Sequence, residues 1–131
     1  MCIRDRYNPW NIGIDMPRFD GGRSIYSTLL VSDISLASSG TYRKYKIDSS
    51  GNKYAHIIDP RTGKPTKTNI LSVNVKTNNC IDADAYATAL HVMNLNEIGI
   101  FFKGKENISA LVIYENDEKE LDFVDFNDFY N

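Results

Sequence analysis

The sequence predicts an α+β fold in which a mixed or antiparallel sheet packs against one main helix and a smaller helix. Residues 81–90 are rich in helix formers and follow a polar start at Asn78 and Asn79. Strand-like segments, bounded by turn residues, occur both before and after this helix. An order of strands, then helices, then strands again is typical of the α+β class.

The predicted elements follow the pattern of apolar and turn residues along the chain. Turn residues at 48–52 join two strand segments into a hairpin, and those at 116–118 precede the last strand. Leu90 and Met93 give the main helix an apolar side that can face the sheet. We predict strands at 10–15, 24–32, 41–47, 53–58, 70–76, 109–114 and 120–126, and helices at 82–93 and 97–102.

The composition indicates one folded domain and argues against nucleic acid as a partner. The chain has 131 residues, of which 42% are hydrophobic and 24% charged, and no apolar run approaches the length of a membrane span. Its net charge is −2, and the only short basic run lies at residues 43–46. Cys2 and Cys80 are too few for a disulfide framework, so they indicate no redox compartment.

Residues 1–6 differ from the rest of the chain, and we expect this doubtful leader not to belong to the folded domain. They contain neither the apolar segment nor the small-residue cleavage site of a signal peptide, although Cys2 is present. We therefore expect residues 7–131 to belong to a single domain that begins at an interior strand.

His56 is the first candidate site residue, because it precedes a turn marked by Pro60 and Gly63. Strand alternation places Tyr54, His56 and Ile58 on one face. An imidazole with a reference pKa of about 6.5 can exchange protons near neutral pH, which makes His56 a candidate base. The backbone amides of the turn could also face an anion. The alternative, a structural turn with a half-buried histidine, stays open because spacing alone does not distinguish the two.

Asp84 and Thr88 form a second candidate site, since residues four apart on a helix share one face. Their carboxylate and hydroxyl oxygens suit Mg²⁺ rather than zinc, and Mg²⁺ needs few protein ligands when water and phosphate complete its shell. The alternative is helix capping, in which Asp82 and Asp84 stabilise the first turn without a metal. His91, on the same helix, is expected to be a packed residue with no assigned role.

Four motifs follow one another along the chain. They are Ala37-Ser38-Ser39-Gly40-x-Tyr42, residues 56–65 from His56 to Pro65, Ser72-Val73-x-Val75 and Ala83-Asp84-x-x-Ala87-Thr88-Ala89. Together and in this order they resemble the motifs of the FAD:protein FMN transferase family, also called the ApbE family. This resemblance implies an ApbE-like, T-fold-type domain that is incomplete at its N-terminus, because family members are longer and their N-terminal half supplies much of the flavin pocket.

The resemblance implies transfer of the FMN moiety of FAD to a Thr or Ser hydroxyl of an acceptor flavoprotein, with Mg²⁺ present and AMP released. It gives His56 the role of base or proton shuttle and makes Asp84 and Thr88 the metal ligands. Ile58 and Ser39 are expected to contact FAD. The resemblance also suggests a bacterial protein in the periplasm or anchored to a membrane as a lipoprotein.

Two other functions remain open at the level of the sequence. The same site could act as a Mg²⁺-dependent FAD pyrophosphatase, in which water replaces the acceptor hydroxyl and FMN and AMP are formed. Alternatively, the chain could be a non-catalytic flavin-binding module or an inactive fragment.

Overall fold

A computed structural model describes residues 8–42, 45–47, 49–51 and 53–131, so the expected leader lies outside the described residues. Within these ranges the chain forms ten strands and two helices, and the predicted α+β class is confirmed. Neither helix in the described ranges is long and apolar enough to cross a membrane. The elements are β1 (Trp10–Asp15), β2 (Ile25–Val31), β3 (Ser35–Gly40), β4 (Tyr45–Ile47), β5 (Lys53–Ala55), β6 (Ile58–Asp59), β7 (Lys64–Pro65), β8 (Ile70–Thr77), α1 (Cys80–His91), α2 (Leu95–Phe102), β9 (Ile108–Glu115) and β10 (Leu121–Phe126).

A four-stranded antiparallel sheet with strand order β10-β9-β8-β3 forms the centre of the fold. The first six residues of β8 and of β9 are all buried, so both faces of these strands are covered. Along β9 the covered faces alternate with the period of a strand: Val112 belongs to one core cluster, whereas Leu111 and Ile113 belong to the other. The sheet is therefore the middle of three layers.

The helices cover one face of the central sheet. Leu90 of α1 and Ile98 of α2 are fully buried in the same cluster as Val73 and Val75 of β8. Complete burial of a leucine side chain contributes about 2 kcal/mol to folding. Helix α1 begins after Asn79, whose side-chain oxygen accepts a hydrogen bond from the Asp82 backbone amide at 2.8 Å. This cap fixes where the helix starts.

The β1–β2 hairpin covers the opposite face of the sheet. Ile14 and Leu29 of this hairpin pack with Leu111 of β9 and with Phe129, which is fully buried. The Lys76 ammonium donates a 2.7 Å hydrogen bond to the Phe129 carbonyl oxygen, which ties the last residues to the sheet. The two layers on either side hold β8 and β9 in place. The candidate site residues lie at the end of β3, between β5 and β6, on β6 and within α1.

The main differences between the structure and the predicted elements lie in β3 to β6 and in α1. Of the predicted strand 41–47, residues 45–47 form β4, and residues 43–44 lie outside the described residues. The Ser-rich segment of β3 forms an unpredicted strand because it pairs with β8. The predicted strand 53–58 is interrupted at His56 and Ile57, because β5 ends at Ala55 and β6 begins at Ile58. The predicted main helix 82–93 begins earlier, at Cys80, and ends at His91, since the Val92 amide bonds to the Ala89 carbonyl in a tighter turn.

Candidate functional site

His56 lies on a short segment between β5 and β6 that keeps the side-chain alternation of a strand. Ala55 and Ile57 are buried, with 9% and 7% of their surface exposed. Tyr54, His56 and Ile58 are exposed on the other side. The predicted shared face is therefore confirmed, although the strand ladder is broken at His56. The two buried neighbours anchor the segment, so the imidazole projects away from the core.

The turn after β6 is stabilised from within by Asp59. Its carbonyl oxygen accepts hydrogen bonds from the amides of Thr62 at 3.2 Å and Gly63 at 2.8 Å, and its carboxylate accepts the Arg61 amide at 2.9 Å. Gly63 has φ +65°, a left-handed conformation that glycine adopts without steric cost. Because these amides are bonded to Asp59, the expectation that they face an anion is wrong.

Three of the predicted site residues line one polar cavity of about 390 Å³. Ser39 comes from β3, His56 from the β5–β6 segment and Thr88 from α1, and the cavity draws them together from distant parts of the sequence. Its walls carry hydroxyl, carboxylate and imidazole groups, a set suited to a polar or charged ligand. The lining residues are Asp15, Ser38, Ser39, Gly40, Tyr42, His56, Ser72 and Thr88.

Gly40 allows the aromatic wall of this cavity to approach the end of β3. A Cβ atom at this position would lie 2.8 Å from ring atom Cε1 of Tyr42 and 3.3 Å from the Leu71 carbonyl oxygen. Both distances are shorter than ordinary van der Waals contacts, so any other residue would displace the Tyr42 ring. Beside it, the Ser38 hydroxyl donates a 2.6 Å hydrogen bond to the Asn74 side-chain oxygen. The Ser-Ser-Gly-x-Tyr motif thus builds one wall of the cavity.

Asp84 and Thr88 lie one turn apart on α1, as the spacing predicts. The Thr88 hydroxyl donates a 3.2 Å hydrogen bond to the Asp84 carbonyl oxygen, which leaves the lone pairs of the hydroxyl oxygen available as acceptors. The Asp84 carboxylate is exposed. Asp82 instead accepts a 2.6 Å hydrogen bond from the Asn79 side chain and belongs to the helix cap.

The chemistry of these oxygen donors fits Mg²⁺, which takes one or two carboxylates and completes its shell with water or phosphate. The described residues include no group of three His, Cys, Asp or Glu side chains close enough to hold a metal ion. Asp84 and Thr88 would therefore hold Mg²⁺ only together with ligand oxygens or with atoms from elsewhere. Asp15, which lines the same cavity as Thr88, is a further carboxylate near that position.

An apolar cavity of about 820 Å³ adjoins the polar one, and Thr88 lines both. Ile58, predicted to contact FAD, lines this second cavity rather than the one that contains His56. The volume lies within the usual range for small-molecule sites, about 300–1,000 Å³. The lining residues are Ile58, Pro60, Arg61, Ala85, Thr88, Ala89, Val92, Met93, Glu97, Ile100 and Phe101.

The sequence model described as the ApbE family matches residues 2–112. The chain belongs to the ApbE family. A relative from Vibrio cholerae named FAD:protein FMN transferase is 38% identical over 110 residues, which cover 84% of this chain and 32% of the relative. Another of the same name, from Treponema pallidum, is 34% identical over 105 residues, or 80% of this chain and 28% of the relative.

Solved structures of ApbE proteins share the fold of this chain. The flavin transferase ApbE from Vibrio cholerae superposes with a TM-score of 0.73 and 30% identity, over 92% of this chain and 37% of that protein. The ApbE protein from Thermotoga maritima gives a TM-score of 0.72 and 27% identity, over 88% of this chain and 36% of that one. The predicted ApbE-like fold is confirmed, and the chain spans about a third of the length of the relatives it matches.

His91 is a buried residue of this ApbE-family chain whose surroundings the sequence could not reveal. Its side chain is fully buried, and neither ring nitrogen has a hydrogen-bond partner among the described residues. Burial, and secondarily the nearby His56, lowers the pKa of His91 to about 4. The expectation of a packed residue is confirmed, and the imidazole is neutral at neutral pH. No local signal marks its closeness to His56, because the two lie 35 positions apart in the sequence.

Proposed function

We propose that the complete protein transfers the FMN moiety of FAD to a Thr or Ser hydroxyl of an acceptor flavoprotein, with Mg²⁺ present and AMP released. The main support is the convergence of Ser39, His56 and Thr88 on one polar cavity that adjoins an apolar one. Such a pair of cavities suits a dinucleotide, which has flat rings and a charged pyrophosphate. The relatives named FAD:protein FMN transferase support the same activity.

In the proposed reaction, the acceptor hydroxyl oxygen forms a bond to the phosphorus on the FMN side of the pyrophosphate. The bond from that phosphorus to the bridging oxygen breaks, and AMP leaves with this oxygen. His56 takes the hydroxyl proton, since its imidazole lies at the polar cavity and an imidazole nitrogen can act as a general base. Bound Mg²⁺, held by Asp84 and Thr88 with phosphate oxygens, would neutralise charge on the pyrophosphate.

The two cavities would divide the substrate by polarity. Ser39 and Thr88 would face the pyrophosphate in the polar cavity, where hydroxyl groups can donate hydrogen bonds to its oxygens. Ile58 would pack against a flat ring of FAD in the apolar cavity. The remaining walls of the FAD site would come from the rest of the protein.

Export of the complete protein to the periplasm, or its attachment to a membrane as a lipoprotein, is a proposal from family resemblance.

Replacement of the candidate base tests this proposal. In the full-length protein, His56→Ala is expected to slow flavin transfer by about 10² to 10⁴, the usual effect of losing a general base, while FAD affinity changes little. Transfer is followed by the flavin fluorescence of an acceptor domain in a denaturing gel. Tyr54→Ala is a matched control, because Tyr54 is exposed on the same segment and lines neither cavity.

Two outcomes would redirect the assignment. A near wild-type rate in His56→Ala would make His56 a structural residue. Release of FMN and AMP from FAD by the wild-type protein, with no flavin attached to any acceptor offered, would replace the transferase by the pyrophosphatase.

A further inference from the structure

Arg61 makes an unusually connected set of hydrogen bonds for an exposed side chain. Its Nε donates to Oδ1 of Asp59 at 3.0 Å, and its Nη2 donates to Oδ2 of the same carboxylate at 3.0 Å. Nη1 donates to Glu97 at 2.9 Å, and Nη2 also donates to the Val92 carbonyl oxygen at 2.9 Å. One guanidinium therefore joins two carboxylates and a backbone carbonyl that lie in three different parts of the fold.

These contacts connect the turn after His56 to the junction between the two helices. Asp59 is the last residue of β6, and Val92 caps the C-terminal end of α1. Glu97 is itself held in place, because its side chain accepts the Asn94 amide at 2.8 Å in the capping box of α2. The acceptors of Arg61 thus lie on β6, at the C-cap of α1 and on α2, and the guanidinium bridges them.

The same geometry argues against bidentate binding of the substrate phosphates by Arg61. An arginine has five N–H donors, and bidentate phosphate recognition uses two of them on one edge. The Nε–Nη2 edge is occupied by Asp59, and Nη2 also bonds to Val92. With one Nη1 donor engaged by Glu97 as well, four of the five donors are used, and no edge keeps two free donors for bidentate phosphate binding.

We propose that Arg61 is a positioning residue for the candidate site: it holds the His56-bearing segment against α1 and so fixes His56 relative to Thr88. The inference rests on the proposed transfer reaction. It follows from the connectivity, because the turn that Arg61 anchors begins three residues after His56, while Val92 ends the helix that carries Thr88. Small displacements between a base and its reactant cost large factors in rate.

The expected effect is local, because exposed ion pairs contribute little to global stability. The Arg61 side chain is 55% exposed and that of Glu97 is 38% exposed. The Asp59 side chain is only 13% exposed, but its carboxylate keeps the Arg61 backbone amide as a hydrogen-bond donor when the guanidinium is removed. Loss of the guanidinium should therefore loosen the turn without unfolding the domain. A looser turn in a domain that stays folded distinguishes a positioning role for Arg61 from a purely structural one.

The test uses Arg61→Met, which keeps an unbranched apolar stem and removes the guanidinium. Arg18→Met is a matched control, because Arg18 pairs through Nε and Nη2 with the carboxylate of Asp20, as Arg61 pairs with Asp59. Flavin transfer by the full-length protein gives kcat and the KM for FAD. Amide hydrogen exchange at Thr62 and Gly63, whose amides bond within the anchored turn, gives a readout that does not depend on activity.

We expect Arg61→Met to lower kcat at least tenfold with the KM for FAD changed less than twofold, and to speed exchange in the turn about tenfold. Arg61→Lys should recover part of kcat, since one ammonium cannot reach all three acceptors. Arg18→Met should change none of these values. A raised KM for FAD with unchanged kcat would overturn the proposal and make Arg61 a substrate-binding residue.

Unchanged kcat and exchange in Arg61→Met would also overturn it, and so would a loss of global stability large enough to account for the lower rate. If the wild-type protein transfers no flavin to any acceptor, the proposed function fails while exchange still decides the anchoring role. In that case, faster exchange in Arg61→Met but not in Arg18→Met would support the anchoring role of Arg61. Equal exchange in the two variants would contradict it.

Discussion

A fall in pH from 7 to 5 is expected to destabilise this chain through His91. Burial lowers the pKa of His91 in the folded chain to about 4, with His56 as the second cause. A histidine in an unfolded chain has a pKa of about 6.5. Between these two values the unfolded chain binds a proton that the folded chain does not, so the free energy of unfolding decreases as the pH falls.

The size of this effect follows from the two pKa values. Linkage gives a loss of about 2 kcal/mol between pH 7 and pH 5, and a limiting loss of about 3 kcal/mol below pH 4. The carboxyl groups whose pKa is lowered in the folded chain, Asp20, Asp59 and Glu97, lose their stabilising effect at lower pH, because unfolded carboxyl groups titrate near pH 4. The window from pH 7 to pH 5 therefore reports mainly on His91.

Urea denaturation at pH 7 and at pH 5 measures this difference. His91→Leu replaces the imidazole with an apolar side chain and removes two buried nitrogens that lack partners among the described residues. We expect the His91→Leu variant to lose about 2 kcal/mol less of its free energy of unfolding between pH 7 and pH 5 than the wild type loses. His56→Gln is the comparison variant: it removes the second cause of the lowered pKa but leaves the burial of His91, so most of the pH dependence should remain. If His91→Leu shows the same pH dependence as the wild type, the buried neutral imidazole is refuted.

The other predictions concern the metal, the core and the isolated chain. In calorimetric titrations of the full-length protein with Mg²⁺ and FAD, Asp84→Ala should abolish metal binding while Asp82→Ala keeps it; the reverse result would move the ligand assignment. Leu90→Ala should lower the free energy of unfolding, measured by urea denaturation, by about 2–5 kcal/mol, since Leu90 is fully buried. A smaller loss would mean that neighbouring side chains fill the space left by the leucine. The 131 residues alone should quench flavin fluorescence weakly and transfer no flavin; FAD binding at micromolar concentration would show that the two cavities suffice.

The sequence alone determined the elements whose signals are local. The sequence correctly predicted the buried strands β8 and β9 and the helix α1, because burial and backbone propensity act over a few neighbouring residues. The turn at Gly63 and the alternation around His56 were predictable for the same reason. The four motifs also placed the chain in its family before any contact was known.

Tertiary structure alone decided which distant residues meet. The Ser-rich β3 has weak strand propensity and becomes a strand because it pairs with β8, a partner more than thirty residues away. His56 and Thr88 share a cavity because α1 packs across the sheet, and Arg61 reaches Glu97 only when α2 follows α1 in a tight junction. His91 owes its lowered pKa to burial beside His56. Such contacts depend on how elements pack, and local sequence patterns carry no record of packing partners.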